Sequence, residues 1–279
     1  MTRVLVTGAT GHTGAPLVER LRASGASVRT ASRTPVQPVQ DHVRFDWFNE
    51  ETHAAALDGV DRAYLLGPPG VADVDAILIP FLRRAEEAGV RRFVLLSASA
   101  IAEGAPGLGR VHAWLSESAP EWTVLQPSWF LQNFVDPAHL HGKGLRDGRL
   151  VTATGDGRVG FVDTRDIAEV ASRALLDPKA HNTAHVLTGP EAISYDEVAR
   201  RYAAATERDV LHEVVSTDAL AVRFTESGMP DNYARILAAL DDDIRLGHHA
   251  LTTDTVERVT GRIPGSLDAL LAETADGLT

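Results

Sequence analysis

Short apolar runs alternate along the chain with stretches whose apolar positions recur every three or four residues. Val4-Leu5-Val6 reads as a buried strand. From about Thr13 to Ser24, Leu17, Val18 and Leu21 share one helical face, Pro16 suits the first turn and Gly25 can end the helix. Further strands are predicted at Ser27 to Ala31, Val43 to Phe45, Ala63 to Leu66, Phe93 to Leu96 and Thr123 to Leu125. Ile77, Leu78, Phe81, Leu82 and Ala85 mark a helix between Asp73 and Ala88. Another helix spans about Gly109 to Ser118. A further helix follows Asp163 and leads to a strand at about His185 to Leu187. The unbroken run Phe93-Val94-Leu95-Leu96 fits a strand covered on both faces. Such alternation predicts an α/β fold with a doubly wound parallel sheet. The remainder, from about Tyr195, is more polar and mostly helical. We expect a first, sheet-forming domain over 1–130. Residues 131–279 should hold the remaining sheet elements and a smaller helical cap, across a soft boundary.

One stretch carries chemistry. After the first strand, Gly8, Gly11 and Gly14 stand at GxxGxxG spacing, immediately before the first helix. In this context the first glycine makes the turn and the second lets a pyrophosphate approach the backbone. The third lets helix and strand pack closely. The helix amino terminus offers free N–H groups and the positive end of its dipole. Strand, glycines and helix come in the order a Rossmann dinucleotide site requires. Gly8, Thr10, Gly11, His12, Thr13 and Gly14 are therefore cofactor-binding candidates. The second strand ends in Arg33 with no acid. A guanidinium there suits a ribose 2′-phosphate, so the expected cofactor is NADP(H). Arg29 is either a second contact or a solvated strand residue. Asp46, after the third strand, can accept from the adenine amino group. Gly67, Pro68 and Pro69 follow the fourth strand, at the edge where such folds bind ligands.

Composition narrows the field. The chain has 279 residues, no cysteine and a formal charge of −11. Absent cysteine excludes disulfides, thiol nucleophiles and cysteine–zinc sites. The acidic balance argues against nucleic acid and anionic membranes as partners. No apolar run approaches the length of a membrane span. The start of the chain lacks the pattern of a secretory signal. The expectation is a cytoplasmic protein acting on a small molecule, with a homodimer possible. His248-His249 lack a third ligand at a familiar spacing, so no metal site is expected. Asp241-Asp242-Asp243 reads as a solvated acidic turn. Asp163 and Asp166 read as helix-capping or tethering residues.

GATGHTG, Arg33, GPPG, FVLLSASA and WTVLQPSWFLQNF together resemble the atypical short-chain dehydrogenase/reductases, most of all the NmrA-like group. That group includes NADPH quinone reductase-like proteins and iminium reductases of ergot-alkaloid pathways. The resemblance covers nearly the whole chain. It implies hydride transfer from NADPH to a small flat acceptor, with Ser97 touching cofactor and reaction. The chain departs from ordinary members, which place a Tyr-x-x-x-Lys pair on the helix after the fifth strand. Here that helix reads GRVHAWLSES: His112 stands 13 positions beyond Ser99, and Ser116 stands four further on. Hydride addition to an iminium needs no accompanying proton. A quinone can take its protons from water or a histidine, so His112 is the candidate acid. Ser99, His112, Trp129, Phe130 and Asn133 are the substrate-binding candidates. Trp114 and Trp122 serve equally well as core. The other reading is a regulator that binds NADP(H) without turnover and acts through a protein partner.

Overall fold

The computed structural model describes residues 2–33 and 41–278. The elements begin with β1 (Arg3–Thr7), α1 (Gly14–Ala23), β2 (Ser27–Ser32), β3 (His42–Arg44), α2 (His53–Leu57), β4 (Arg62–Leu65) and α3 (Asp75–Glu87). They continue through β5 (Arg92–Leu96), α4 (Leu108–Ser118), β6 (Glu121–Pro127), α5 (Leu140–Arg146), β7 (Arg149–Thr152), β8 (Arg158–Val159) and α6 (Thr164–Leu176). The last are β9 (Thr183–Leu187), β10 (Ile193–Ser194), α7 (Tyr195–Thr206), β11 (Leu211–Val214), α8 (Thr217–Glu226), α9 (Asp231–Arg245), α10 (Thr255–Thr260) and α11 (Leu267–Leu278).

Two compact units divide this chain, and each is discontinuous. The first holds Met1–Pro127, Thr164–Leu187 and Thr255–Arg262. The second holds Ser128–Asp163, Thr188–Asp254 and Ile263–Thr279. The chain returns to the first unit because β9 completes its sheet, pairing with β6.

That sheet has seven parallel strands in the order β3-β2-β1-β4-β5-β6-β9. This is the predicted doubly wound Rossmann arrangement. Beyond an arginine at the first position of each, the central strands β1, β4 and β5 are mostly apolar because helices cover both faces; β5 is buried at every residue. Leu17 and Leu21 of α1 and Leu78, Phe81 and Leu82 of α3 are fully buried. Each such side chain contributes about 1.5–3 kcal/mol through removal from water. Gly25 ends α1 with φ +79° as predicted, and the N–H of Ala26 reaches back to Leu21 O at 3.0 Å. Arg92 is buried at the amino end of β5. It donates to Ala174 O, Leu175 O and Asp177 O and pairs with Glu121, closing the carboxyl end of α6. Trp114 and Trp122 pack against the core of this unit, so both are core residues.

The second unit is mostly helical, with two strand pairs the pattern did not predict: β7 with β11 in parallel and β8 with β10 antiparallel. Strands of two to four residues leave too short an alternation to read. Its core gathers Leu131, Phe134, Leu150, Phe161, Tyr195 and Tyr202. A capping box starts α7. The Ser194 hydroxyl accepts from Glu197 N (3.2 Å), and the Glu197 carboxylate accepts from Ser194 N (2.9 Å).

Asp241 corrects the sequence reading of a solvated acidic turn. It lies within α9 on the face of Ala234, Ala238 and Ile244, is buried, and accepts from Ala153 N at 2.9 Å. Burial pushes its carboxyl up to about 6, against the opposing pull of that bond. The folded chain therefore holds this proton more tightly than the unfolded chain. The group's contribution to stability is complete below about pH 4 and is lost as pH rises through about 6. Asp241→Asn keeps an oxygen for Ala153 N and removes the charge. Its melting temperature should exceed the parent's at pH 8, corresponding to about 1–3 kcal/mol, and converge on it near pH 4. A difference that does not change with pH would refute the assignment.

Candidate functional site

Strand order reverses at β1, with β2 on one side and β4 on the other. The loops leaving β1 and β4 therefore part and open a crevice at the carboxyl edge of the sheet. Thr7, the last residue of β1, fixes the two walls. Its hydroxyl accepts from Leu66 N (2.8 Å) and donates to Tyr64 O (3.2 Å). The chain then turns at Gly8, whose φ is +64°, and Gly8 O accepts from Gly11 N at 3.0 Å. A Cβ on Gly8 would lie 2.4 Å from Leu66 Cδ2. A Cβ on Gly14 would lie 2.1 Å from Gly8 O. The fold itself requires both glycines. Gly11 differs: a Cβ there would meet only Gly8 O, at 3.4 Å. Among the described residues, nothing in the fold forbids a side chain at Gly11.

Helix α1 presents its amino terminus to this turn. Thr13, at the cap, makes no side-chain capping bond, and the first turn carries no acid. The Thr13 hydroxyl is buried and accepts instead from Tyr64 Oη at 3.0 Å. The N–H groups and the dipole are thus left without an internal anion, which is the condition for holding a phosphate. Thr10 and His12 are exposed on the same turn.

The crevice has a volume of about 280 Å³. Gly8, Thr10, Arg33, Asp46, Gly67, Pro68 and Pro69 line it together. Arg33 is exposed and has no acidic partner among the described residues. Arg29 is a strut. Its guanidinium is spent on Asp41 Oδ1 (3.1 Å), Ala55 O (3.0 Å) and Asp58 O (2.6 Å), which removes it as a second phosphate contact. Asp46 Oδ1 accepts from Phe48 N at 3.0 Å, and its backbone oxygen contacts His53 Nε2 at 3.1 Å.

Trp47 and Phe48 are among the lining residues that the sequence reading did not single out. Trp47 packs edge-on against Phe45 and Phe81, and its indole N–H donates to Leu66 O at 3.1 Å, tying the β3 side of the crevice to the β4 side. Phe48 is 67% exposed. In sequence, VRFDWF reads as a strand end followed by core aromatics, and nothing separates the inward rings from the outward one.

Ser97 directly follows β5, and its N–H bonds Leu125 O at 2.8 Å; Ser99 N bonds Pro127 O at 2.9 Å. Both stand at the carboxyl edge of the sheet. His112 has other neighbours. It is buried on α4, its ring 5.7 Å from that of Trp122 and its Nε2 3.8 Å from Glu103. Trp122 is level with Phe93, four residues before Ser97, on the order of 13 Å back along the strand. Burial lowers the His112 pKa, with Glu103 opposing, and Nδ1 has no hydrogen-bond partner among the described residues. The structure does not bring His112 to the lining of the crevice.

Trp129, Phe130 and Asn133 belong to the second unit. The ring of Trp129 meets that of His249 edge-on at 4.6 Å, and Phe130 forms a bridge to Val162. Asn133 N donates to Phe130 O at 3.2 Å. Asp163 is buried and accepts from Gln132 Nε2 at 3.0 Å, the tethering expected of it. His248 pairs with Asp243, and no cluster of metal-ligating side chains occurs among the described residues. None of the described helices is long and apolar enough to cross a membrane.

The neighbours of His112 generate a test. His112→Phe preserves the ring packing on Trp122 and removes the titrating group. Turnover of a quinone should stay within about twofold of the parent, because general-acid roles are worth on the order of 100-fold or more. A loss of that larger size in a folded variant would make His112 the proton donor.

Known proteins agree with this geometry. A family model described as NAD(P)H-binding matches residues 8–178. An uncharacterized oxidoreductase, YesF of Bacillus subtilis, is 42% identical over 273 residues, covering 98% of this chain and 95% of its own. Agroclavine dehydrogenase of Claviceps fusiformis is 34% identical over 270 residues, covering 94% and 93%. The NADPH-dependent quinone oxidoreductase QOR2 of Escherichia coli, solved with NADPH, superposes with a TM-score of 0.82 at 22% identity, covering 97% of this chain and 99% of that one. With a glycine turn at the crevice and oxidoreductase relatives along its whole length, the chain belongs to the NAD(P)H-binding family and works as an NAD(P)H-dependent oxidoreductase.

Proposed function

We propose that this enzyme prefers NADPH and reduces a small flat organic acceptor, either a conjugated C=N group such as an iminium or a quinone. The observation that carries the cofactor preference is Arg33. It stands exposed at the crevice without an acidic partner among the described residues, and β2 ends without the carboxylate that would read a ribose 2′-hydroxyl. In this reading Arg33 takes the 2′-phosphate bidentately. Gly8, Thr10, Gly11, His12, Thr13 and Gly14 supply the phosphate turn, largely through backbone N–H groups. Asp46 accepts from the adenine amino group. Gly67, Pro68 and Pro69 border the ribose, and Ser97 holds the nicotinamide end. When bound, the dinucleotide supplies a hydride from its nicotinamide ring.

Ser99, Trp129, Phe130 and Asn133 are assigned to the acceptor. Flat aromatic side chains suit a flat substrate. The missing Tyr-x-x-x-Lys pair favours an acceptor that needs no strong acid. Hydride addition neutralises an iminium outright, and a quinone can draw its protons from water. Similarity to agroclavine dehydrogenase supports the first class. The sensor reading finds no support among relatives that are oxidoreductases.

Titration calorimetry with NADPH, NADP⁺, NADH and NAD⁺, followed by turnover with iminium and quinone acceptors, tests the proposal. NADPH should bind at least tenfold more tightly than NADH, and turnover should follow. Binding without turnover of either acceptor class would overturn the acceptor assignment. Arg33→Ala should weaken NADPH about tenfold to 100-fold and leave NADH within twofold, the scale of lost charge-assisted hydrogen bonds. Equal losses would remove Arg33 from the 2′-phosphate. Gly11→Val should abolish binding while the melting temperature holds, whereas Gly14→Ala should fail to fold. Retained binding by Gly11→Val would place the phosphates elsewhere.

A further inference from the structure

We infer that Phe48 is the base-stacking residue of the crevice, with the adenine ring of the dinucleotide lying against its phenyl face. This rests on the cofactor assignment just made and adds a residue to it. Three observations carry it. Phe48 is a large apolar side chain left 67% exposed, yet it lines the same concavity as Gly8, Arg33 and Asp46. Its neighbours in the run are turned inward: Phe45 is 3% exposed, and Trp47 packs on Phe81. Nor is Phe48 placed by chance. Its N–H donates to Asp46 Oδ1 at 3.0 Å, and Asn49 N donates to Asp46 O at 3.1 Å. Backbone hydrogen bonds thus hold the position while the ring stays uncovered.

An uncovered ring at the wall of a crevice gains most from a flat partner, and base–aromatic stacking is worth about tenfold to 100-fold in affinity per base. The same turn leaves Asp46 Oδ2 without a hydrogen bond among the described residues. One carboxylate therefore serves two ends. Oδ1 sets Phe48 in place, and Oδ2 stays available for an exocyclic amine at the edge of the base that Phe48 covers. The ligand chemistry is a purine carrying an amino group, read by face and by edge within one turn of chain.

The test separates the two halves of the dinucleotide. Affinities for NADPH and for 2′,5′-ADP, and kcat/KM with reduced nicotinamide mononucleotide, are measured for the parent, Phe48→Ala and Phe48→Trp. Phe48→Ala should weaken NADPH and 2′,5′-ADP each by about tenfold, with an unchanged melting temperature. Its kcat/KM with the mononucleotide, which has no adenine, should stay within twofold. Phe48→Trp should restore the affinity. Binding of 2′,5′-ADP by Phe48→Ala within twofold of the parent would overturn the inference. So would an equal loss with the mononucleotide, or a Trp variant no better than Ala. A parent that binds neither NADPH nor 2′,5′-ADP would instead overturn the cofactor assignment itself.

Discussion

A Cβ on Gly14 would stand 2.1 Å from the carbonyl oxygen of Gly8, so α1 can start where it does only because that position has no side chain. This contact sets the geometry of the first unit. It brings the helix amino terminus onto the turn that leaves β1, beside the opening between β1 and β4. The same closeness lets Leu17, Val18 and Leu21 bury against the sheet. The packing of α1 and the placement of its amino terminus are thus consequences of one steric fact. The unused cap at Thr13, whose hydroxyl turns inward to Tyr64, keeps that helix end uncommitted.

Around this start the walls are tied by a few polar bonds between neighbouring strand ends. Thr7 binds the first residue beyond β4 through its hydroxyl, and Trp47 binds the same residue through its indole. Leu66 is therefore a common post for the β1 and β3 sides of the crevice. Its side chain in turn closes on Gly8. The cavity is rigid for an ordinary reason: its rim is the continuation of parallel strands, and the hydrogen bonds at the rim join one strand end to the next.

Much of this was legible in the sequence because it rests on local rules. The strand–glycine–helix order, the apolar runs, Arg33 after β2 and Gly67-Pro68-Pro69 after β4 each follow from spacing along the chain. What was not legible depends on direction or on distant partners. Arg29 and Arg33 are four apart and look alike in sequence; only the positions of Asp41, Ala55 and Asp58 make one a strut. Phe45, Trp47 and Phe48 form one aromatic run, and the turn that throws Phe48 outward depends on a side-chain bond from Asp46. Asp241 sat in a run of three acids, and only its helical face and Ala153 reveal its burial. His112 has the right distance from Ser99 in sequence but faces Trp122 and Glu103.

The division of labour between the two arginines bears on how such an enzyme diversifies. The cation that supports the fold is buried and bonded to three partners, while the cation assigned to cofactor choice is exposed and touches no acid among the described residues. Mutation at Arg33 therefore escapes the stability threshold that constrains Arg29. On the role proposed for Arg33, a change of cofactor preference would leave the packing of the core untouched.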